Sequence, residues 1–181
     1  LVGELNSVIC YLTMKEMFDA SIAISDDAVT SIRNLEKVRS NLDQLQKKLL
    51  LHCIVTDNEK MEDIKFDIYI IKGELSSSVA TIENSLTEQR AIDSFNDFYA
   101  NYNMYIEEYD KILELSQSND KKMAIGLVES ELTRINENIE INMDTINILN
   151  TTDIIRAKKV QKEAYSKYIK VSVATTILLV L

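Results

Sequence analysis

A chain of 181 residues with no proline and only three glycines has very little with which to turn. Proline presets φ for turns and glycine reaches backbone conformations that other residues avoid, so their scarcity leaves room for only a few long elements. About half of the residues are hydrophobic, and they recur at spacings of three and four instead of clumping. That much patterned apolar surface argues against disorder and for an all-α bundle.

Three breaks divide the chain into four helices. Residues Glu4 to Val55 keep helical spacing through Leu5, Val8, Leu12, Phe18, Ile22 and Val29, then Leu35, Val38, Leu42, Leu45 and Leu49. This predicts one amphipathic helix of about 50 residues. Thr56-Asp57-Asn58-Glu59 ends it, and the Thr56/Glu59 pair has the spacing of a capping box opening the second helix. There Met61, Ile64, Ile68, Ile71, Leu75, Val79 and Ile82 demand partners on one side. Gly73 interrupts that helix and costs about 1 kcal/mol relative to alanine, a loss that packing must offset. Ser85 and Glu88 repeat the capping spacing. The third helix carries the most regular seam, Phe95, Phe98, Tyr102, Tyr105, Tyr109 and Ile112. An aromatic stripe of this kind reads as core, with the tyrosine hydroxyls reaching the rim. Ser116 to Asp120 supplies turn and cap residues. The fourth helix comes next, with Val128, Leu132, Ile135, Ile139, Ile146, Leu149 and Val160 on its apolar face.

The character of that last helix changes near its end. Val171 to Leu181 carries no charge and reads as the first half of a membrane span, about half of the roughly 20 apolar residues that a crossing needs. Tyr165, Lys167, Tyr168 and Lys170 stand where an interfacial belt would lie. Helices two and three, at about 28 residues or ~42 Å each, accompany only part of helices one and four. Both leftovers are about 24 residues, or ~36 Å. The expected fold is an antiparallel up-down four-helix bundle whose two long helices extend into a membrane-proximal stem.

Chemistry-bearing constellations are sparse. No nucleophile elbow, phosphate loop or metal-spaced cluster occurs, so the chain reads as a non-enzyme without a cofactor or metal. Its net charge of −9 argues against nucleic acid as a partner, because phosphate binding depends on clustered Lys and Arg. Cys10 and Cys53 would stand about 65 Å apart on one helix, too far to bridge. The lone His52 lacks the spaced partners of a zinc site.

Polar residues near the seams are more informative. Asn142 falls between Ile139 and Ile146, and Arg39 replaces an expected apolar residue on helix one. Counted from the distal turns, Arg39 is level with Asn136, and Arg33 with Asn142. These four are the candidate ligand-binding residues, suited to an amino acid or organic acid, and they equally suit a register-fixing polar layer. Asp153 and Arg156 have the spacing of an ion pair in the stem. Lys47, Lys48, His52, Lys121 and Lys122 gather near the distal turns, mixed with acidic residues.

The chain resembles the extracytoplasmic four-helix-bundle sensor domain of a bacterial methyl-accepting chemotaxis protein. The resemblance rests on Ile32-Arg33-Asn34-Leu35-Glu36-Lys37-Val38-Arg39, the turn Ser118-Asn119-Asp120 followed by Met123, Ala124 and Leu127, residues Asn150 to Ala157, and the apolar exit. It implies residues 1–170 as a ligand-sensing domain with its stem and residues 171–181 as the start of a second transmembrane helix. It further implies a homodimer in the cell membrane, a first transmembrane helix before Leu1, and a cytoplasmic linker and signalling coiled coil after Leu181. The function implied is chemotaxis signal transduction, in which binding of a small molecule or an extracytoplasmic binding protein displaces helix four. Aspartate-type receptors carry arginines where this chain has Gln44, Leu49 and Cys53, so the aspartate site is not carried over. A membrane histidine kinase sensor, or an anchored helical spacer or adhesion module, are the alternative readings.

Overall fold

The computed structural model describes residues 2–118 and 120–180. The side chains of Leu5 and Cys10, residue Asn119 of the third turn, and the last apolar side chains from residue 178 onward lie outside the described residues. Helix α1 spans Val2–Ile54, α2 Asn58–Ser85, α3 Gln89–Gln117, α4 Lys121–Leu127 and α5 Thr133–Val180, with a π-helical turn Val128–Leu132 joining α4 to α5. The chain is an all-α four-helix bundle whose fourth member is built from α4, the π turn and α5.

Two of the expected caps fall elsewhere. Asp57, not Thr56, caps α2, its carboxylate accepting from the amides of Glu59 and Lys60. A carboxylate closer to the helix satisfies two orphan donors and meets the positive end of the dipole. Ser85 completes α2 and turns its hydroxyl back to the Ile82 carbonyl. Glu88 then precedes α3 without a side-chain cap bond. Asp120 caps α4 by accepting from the Met123 amide. Within the π turn, Thr133 Oγ1 donates to the Val128 carbonyl at 2.8 Å. A hydroxyl inserted into the ladder in this way supports the wider turn.

The chain divides into two compact units, residues 30–149 and residues 1–29 with 150–181. In the first, Leu35, Val38, Leu42, Leu45, Leu49 and Cys53 of α1 pack with the expected seams of α2 and α3, except that Met61 at the start of α2 is only half-buried and outside the core. The last member contributes Val128, Leu132, Ile135, Ile139, Met143 and Ile146. Met143, not Asn142, holds the seam position between Ile139 and Ile146, and Leu149 is only half-buried. Cys53 is a buried free thiol.

Tyr105 and Tyr109 of α3 turn inward, contrary to the expected rim position, whereas the Tyr102 hydroxyl lies 3.3 Å from Ser76 Oγ in a part-buried contact with α2. Tyr105 Oη donates to the Leu42 carbonyl at 3.4 Å and Tyr109 Oη to the Leu45 carbonyl at 3.2 Å. Each carbonyl keeps its helical bond and offers its second lone pair. Burial, first of all, pushes both phenols well up from their ordinary value, so they act as hydrogen-bond donors at any physiological pH.

Among the described side chains of the second unit, α1 buries the small residues Ser21 and Ala28, and α5 answers with Asn150, Asp153 and Ala157. Ser21 Oγ donates to the Ala157 carbonyl at 2.7 Å. The apolar residues read as seam from spacing, Val8, Leu12, Phe18, Ile22 and Val29, are exposed instead, as is Val160. Asp153 and Arg156 form the expected ion pair at 3.2 Å. No helix among the described residues is long and apolar enough to cross a membrane.

The long tyrosine contacts separate packing from hydrogen bonding. Both exceed the ~2.7–2.8 Å typical of O–H···O bonds, so Tyr109→Phe should cost only about 0.5–1 kcal/mol in urea unfolding. Tyr109→Ala empties the centre of the bundle and should cost about 3–5 kcal/mol. Equal costs would mean that the hydroxyl, not the ring, holds the diagonal together.

Candidate functional site

The side chains of a helix lean toward its own N-terminus. In an antiparallel pair, partners therefore meet from positions about one turn apart along their axes, a shift that counting residues from the turn does not include. The α1–α2 ion pair Lys48–Asp67, the α2–α3 contact Ser76–Tyr102 and the α3–α5 contact Asn101–Asn142 all show this displacement. So does Gln46, whose amide donates to Thr133 Oγ1.

The same lean carries Arg39 away from its expected partner. Its guanidinium reaches past the level of Asn136 to Glu140, with Nε 2.7 Å from Oε2, and to Asp144, with Nη2 2.9 Å from Oδ1. Nη1 lies 2.9 Å from Glu36 Oε1 on its own helix. One cation thus gathers three carboxylates and ties α1 to α5. The hydrogen bond to Glu140 is the main reason the Arg39 pKa rises, against the opposing effect of burial. Glu140 and Asp144 are a like-charge pair four residues apart, which repels on an isolated helix. That spacing was the available sequence signal that a cation sits between them.

The other three candidates separate. Asn142 accepts from Asn101 Nδ2 at 3.0 Å, on the α3 side of α5, whereas Glu140 and Asp144 face α1. Asn136 is one turn before Glu140 on the α1 side, and its Oδ1 is buried without a hydrogen-bond partner among the described residues. Arg33 is exposed, one turn from Lys37 on a different face of α1 from Arg39. The structure therefore places Arg39 and Asn136 on one interface, Asn142 on another and Arg33 outside both.

At the distal turns, Lys47 pairs with Asp43, Lys48 with Asp67, and the Lys121 ammonium donates to the Val55 carbonyl. His52 is buried, its Nδ1 2.8 Å from Ser116 Oγ and its Nε2 without a partner among the described residues. Desolvation lowers its pKa from 6.5, and the ammonium groups of Lys65 and Lys121 lower it further against the opposing pull of Glu62. Among the described residues no group of three His, Cys, Asp or Glu is placed to hold a metal ion.

This geometry has two measurable consequences. Arg39→Ala removes partly exposed ion pairs and leaves three carboxylates facing one another, so urea unfolding in low salt should show a loss of about 1 kcal/mol. The loss should shrink in 1 M NaCl, where the Debye length is about 3 Å. A salt-independent loss would assign the effect to packing of the arginine stem. For His52, the folded pKa lies below the unfolded one, so the unfolded chain takes up the proton first. Its contribution is complete above pH 6.5 and is lost as pH falls from there toward the folded pKa. His52→Gln should flatten the stability profile between pH 6.5 and about 5.5, above the carboxylate range; an unchanged slope would place the titration elsewhere.

No curated protein matches the sequence. Residues 2–168 match the family described as a four helix bundle sensory module for signal transduction. The seams that build this bundle and the reach of that match across it agree, and the chain belongs to the family of four helix bundle sensory modules for signal transduction.

Proposed function

We propose that the chain is the extracytoplasmic ligand-binding domain of a transmembrane chemoreceptor, working as a parallel homodimer in the cell membrane. Residues 1–170 would form the sensing domain with its stem, and residues 171–181 would begin a membrane-spanning helix. The family match over residues 2–168 carries this reading. A sensory module needs an input that changes a mechanical element, and α5 contributes residues to both compact units. An unbroken helix can pass on a displacement of ~1–2 Å, the scale of known receptor helix shifts. The input is a small molecule or an extracytoplasmic binding protein. A ligand carboxylate at Arg39 would compete with Glu36, Glu140 and Asp144, so binding there would loosen the tie between α1 and α5.

The homodimer is supported by Leu12, Phe18, Ile22 and Val29, each more than a third exposed on α1. A second copy would remove that apolar surface from water, at roughly 25 cal/mol per Å².

Joining residues Leu1–Leu181 to the transmembrane and cytoplasmic parts of a chemoreceptor tests the proposal. A compound that raises the melting temperature of the domain, as native-state ligands do, should change kinase output in the hybrid. Cysteines placed in turn along α1 should crosslink between subunits with helical periodicity. Output indifferent to every stabilising compound sinks the sensor reading, and flat crosslinking sinks the parallel dimer.

A further inference from the structure

A groove of about 580 Å³ runs between α1 and α2, within the unit formed by residues 30–149. That volume falls in the ~300–1,000 Å³ range of ligand sites. Lys37 and Asn41 line it from α1, and Gly73, Glu74, Ser77 and Ser78 from α2. Three small residues on α2 open the space. A Cβ built on Gly73 would meet nothing within 4 Å, so no neighbouring side chain of the fold requires glycine there.

Two of the lining side chains are more than nine-tenths buried yet have hydrogen-bonding capacity that the described residues leave unused. Ser78 is 6% exposed, and its hydroxyl makes no hydrogen bond with those residues. Asn41 is also 6% exposed; its Oδ1 takes one long bond of 3.5 Å from Gln44, while its amide nitrogen donates to none of them. Neither group is sealed from water, since among the described residues only His52 Nε2 and Asn136 Oδ1 are buried without a partner, so both open to the groove where a guest with donors and acceptors can reach them.

The charges at the groove specify more. Among the described residues neither Lys37 nor Glu74 forms an ion pair, so both charges are open to a guest. Levelling the helices on the Lys48–Asp67 pair sets Lys37 beside Ser77 and Ser78, and Asn41 beside Gly73 and Glu74. The cation and the anion therefore stand at opposite ends, about one helical turn or ~5.4 Å apart along the axis. Between them lie an amide that can donate to a carbonyl and a hydroxyl that can donate or accept.

We propose that this groove binds a zwitterionic peptide of two or three residues, its ammonium at Glu74 and its carboxylate at Lys37. Successive Cα atoms are about 3.8 Å apart, so the end charges of a dipeptide are separated by a length comparable with the ~5.4 Å axial offset of the two side chains, and a tripeptide extends one step further. A free amino acid carries its two charges closer together and offers no peptide group to Asn41 and Ser78. The peptide's own N–H and C=O groups meet Asn41 and Ser78. This site deepens the sensor reading and rests on it for its biological role, but binding itself can be measured without it.

The test uses the full 181-residue chain, with L-alanyl-L-alanine and tri-L-alanine as probes in thermal unfolding and calorimetry. Both should raise the melting temperature saturably. N-acetylation of the dipeptide or amidation of its carboxylate should each weaken binding by about tenfold or more, and L-alanine should bind no better than either blocked form. Glu74→Gln should weaken the free dipeptide and leave the acetylated one unchanged, since the partner of the lost charge is already gone. Gly73→Leu fills the groove with a strong helix former, so it should abolish binding while the melting temperature without ligand holds or rises. No shift with either peptide overturns the proposal, as does binding that survives both substitutions. If the peptides fail while another compound switches the hybrid receptor, the groove falls and the sensor reading stands. Peptides that bind as described but leave the output of that receptor unchanged place the failure in the sensor reading.

Discussion

The bundle takes its width from the aromatic rings of α3. Phe95, Phe98, Tyr102, Tyr105 and Tyr109 are all buried, and each fills far more volume than the Leu and Ile residues that face it. Such rings hold the diagonal partner α1 away, and Tyr105 and Tyr109 then bridge the gap with their hydroxyls to Leu42 and Leu45. This sets the axial register of α1 against α3 at two points. The side-by-side contacts of α1 with α2 and α5 are placed by that register, including Lys48–Asp67 and the Arg39 cluster.

Where burial is one-sided and strong, spacing alone located the fold. Every apolar residue assigned to the α3 seam is buried, and so are Ile64, Ile68, Ile71, Leu75, Val79 and Ile82 of α2. The early part of α1 misled for a physical reason. Periodicity reports that a face is apolar, not which partner covers it, and there the pairing within the chain uses Ser21 and Ala28 while Phe18, Ile22 and Val29 face outward. The candidate site was legible only in part. Arg39 does join α1 to α5, but the lean of both helices' side chains moves its partners to Glu140 and Asp144. Asn142 was misplaced because its face of α5 depends on Met143 holding the seam, which residue spacing between Ile139 and Ile146 does not decide. The inward turn of the tyrosine hydroxyls left no trace in spacing, since a ring reaching the rim and a ring reaching across have the same periodicity.

Arg39 and the groove between α1 and α2 represent opposite uses of polar chemistry. Arg39 meets three carboxylates, so any anion that engages it must displace a partner and gains only the difference between two similar interactions. Such a cluster suits a register lock whose strength can be altered. At Asn41, Ser78, Lys37 and Glu74 the donors, acceptor and charges are not committed to the described residues, so a guest gains their full interaction less the cost of displacing water.

The α2 sequence shows how the fold tolerates that opening. A glycine and neighbouring serines lower helix propensity through the middle of α2, and a helix this long needs packing to offset the loss. The opposite face supplies it, with Leu75 and Ile82 fully buried and Ile71 and Val79 nearly so. The two faces are separable because apolar residues at spacings of three and four hold one side, leaving Gly73 and Ser77 free of the core. The helix is thus secured mainly by its apolar face, and the flank that borders the groove is left open to bind without unsettling the seam that keeps the bundle closed.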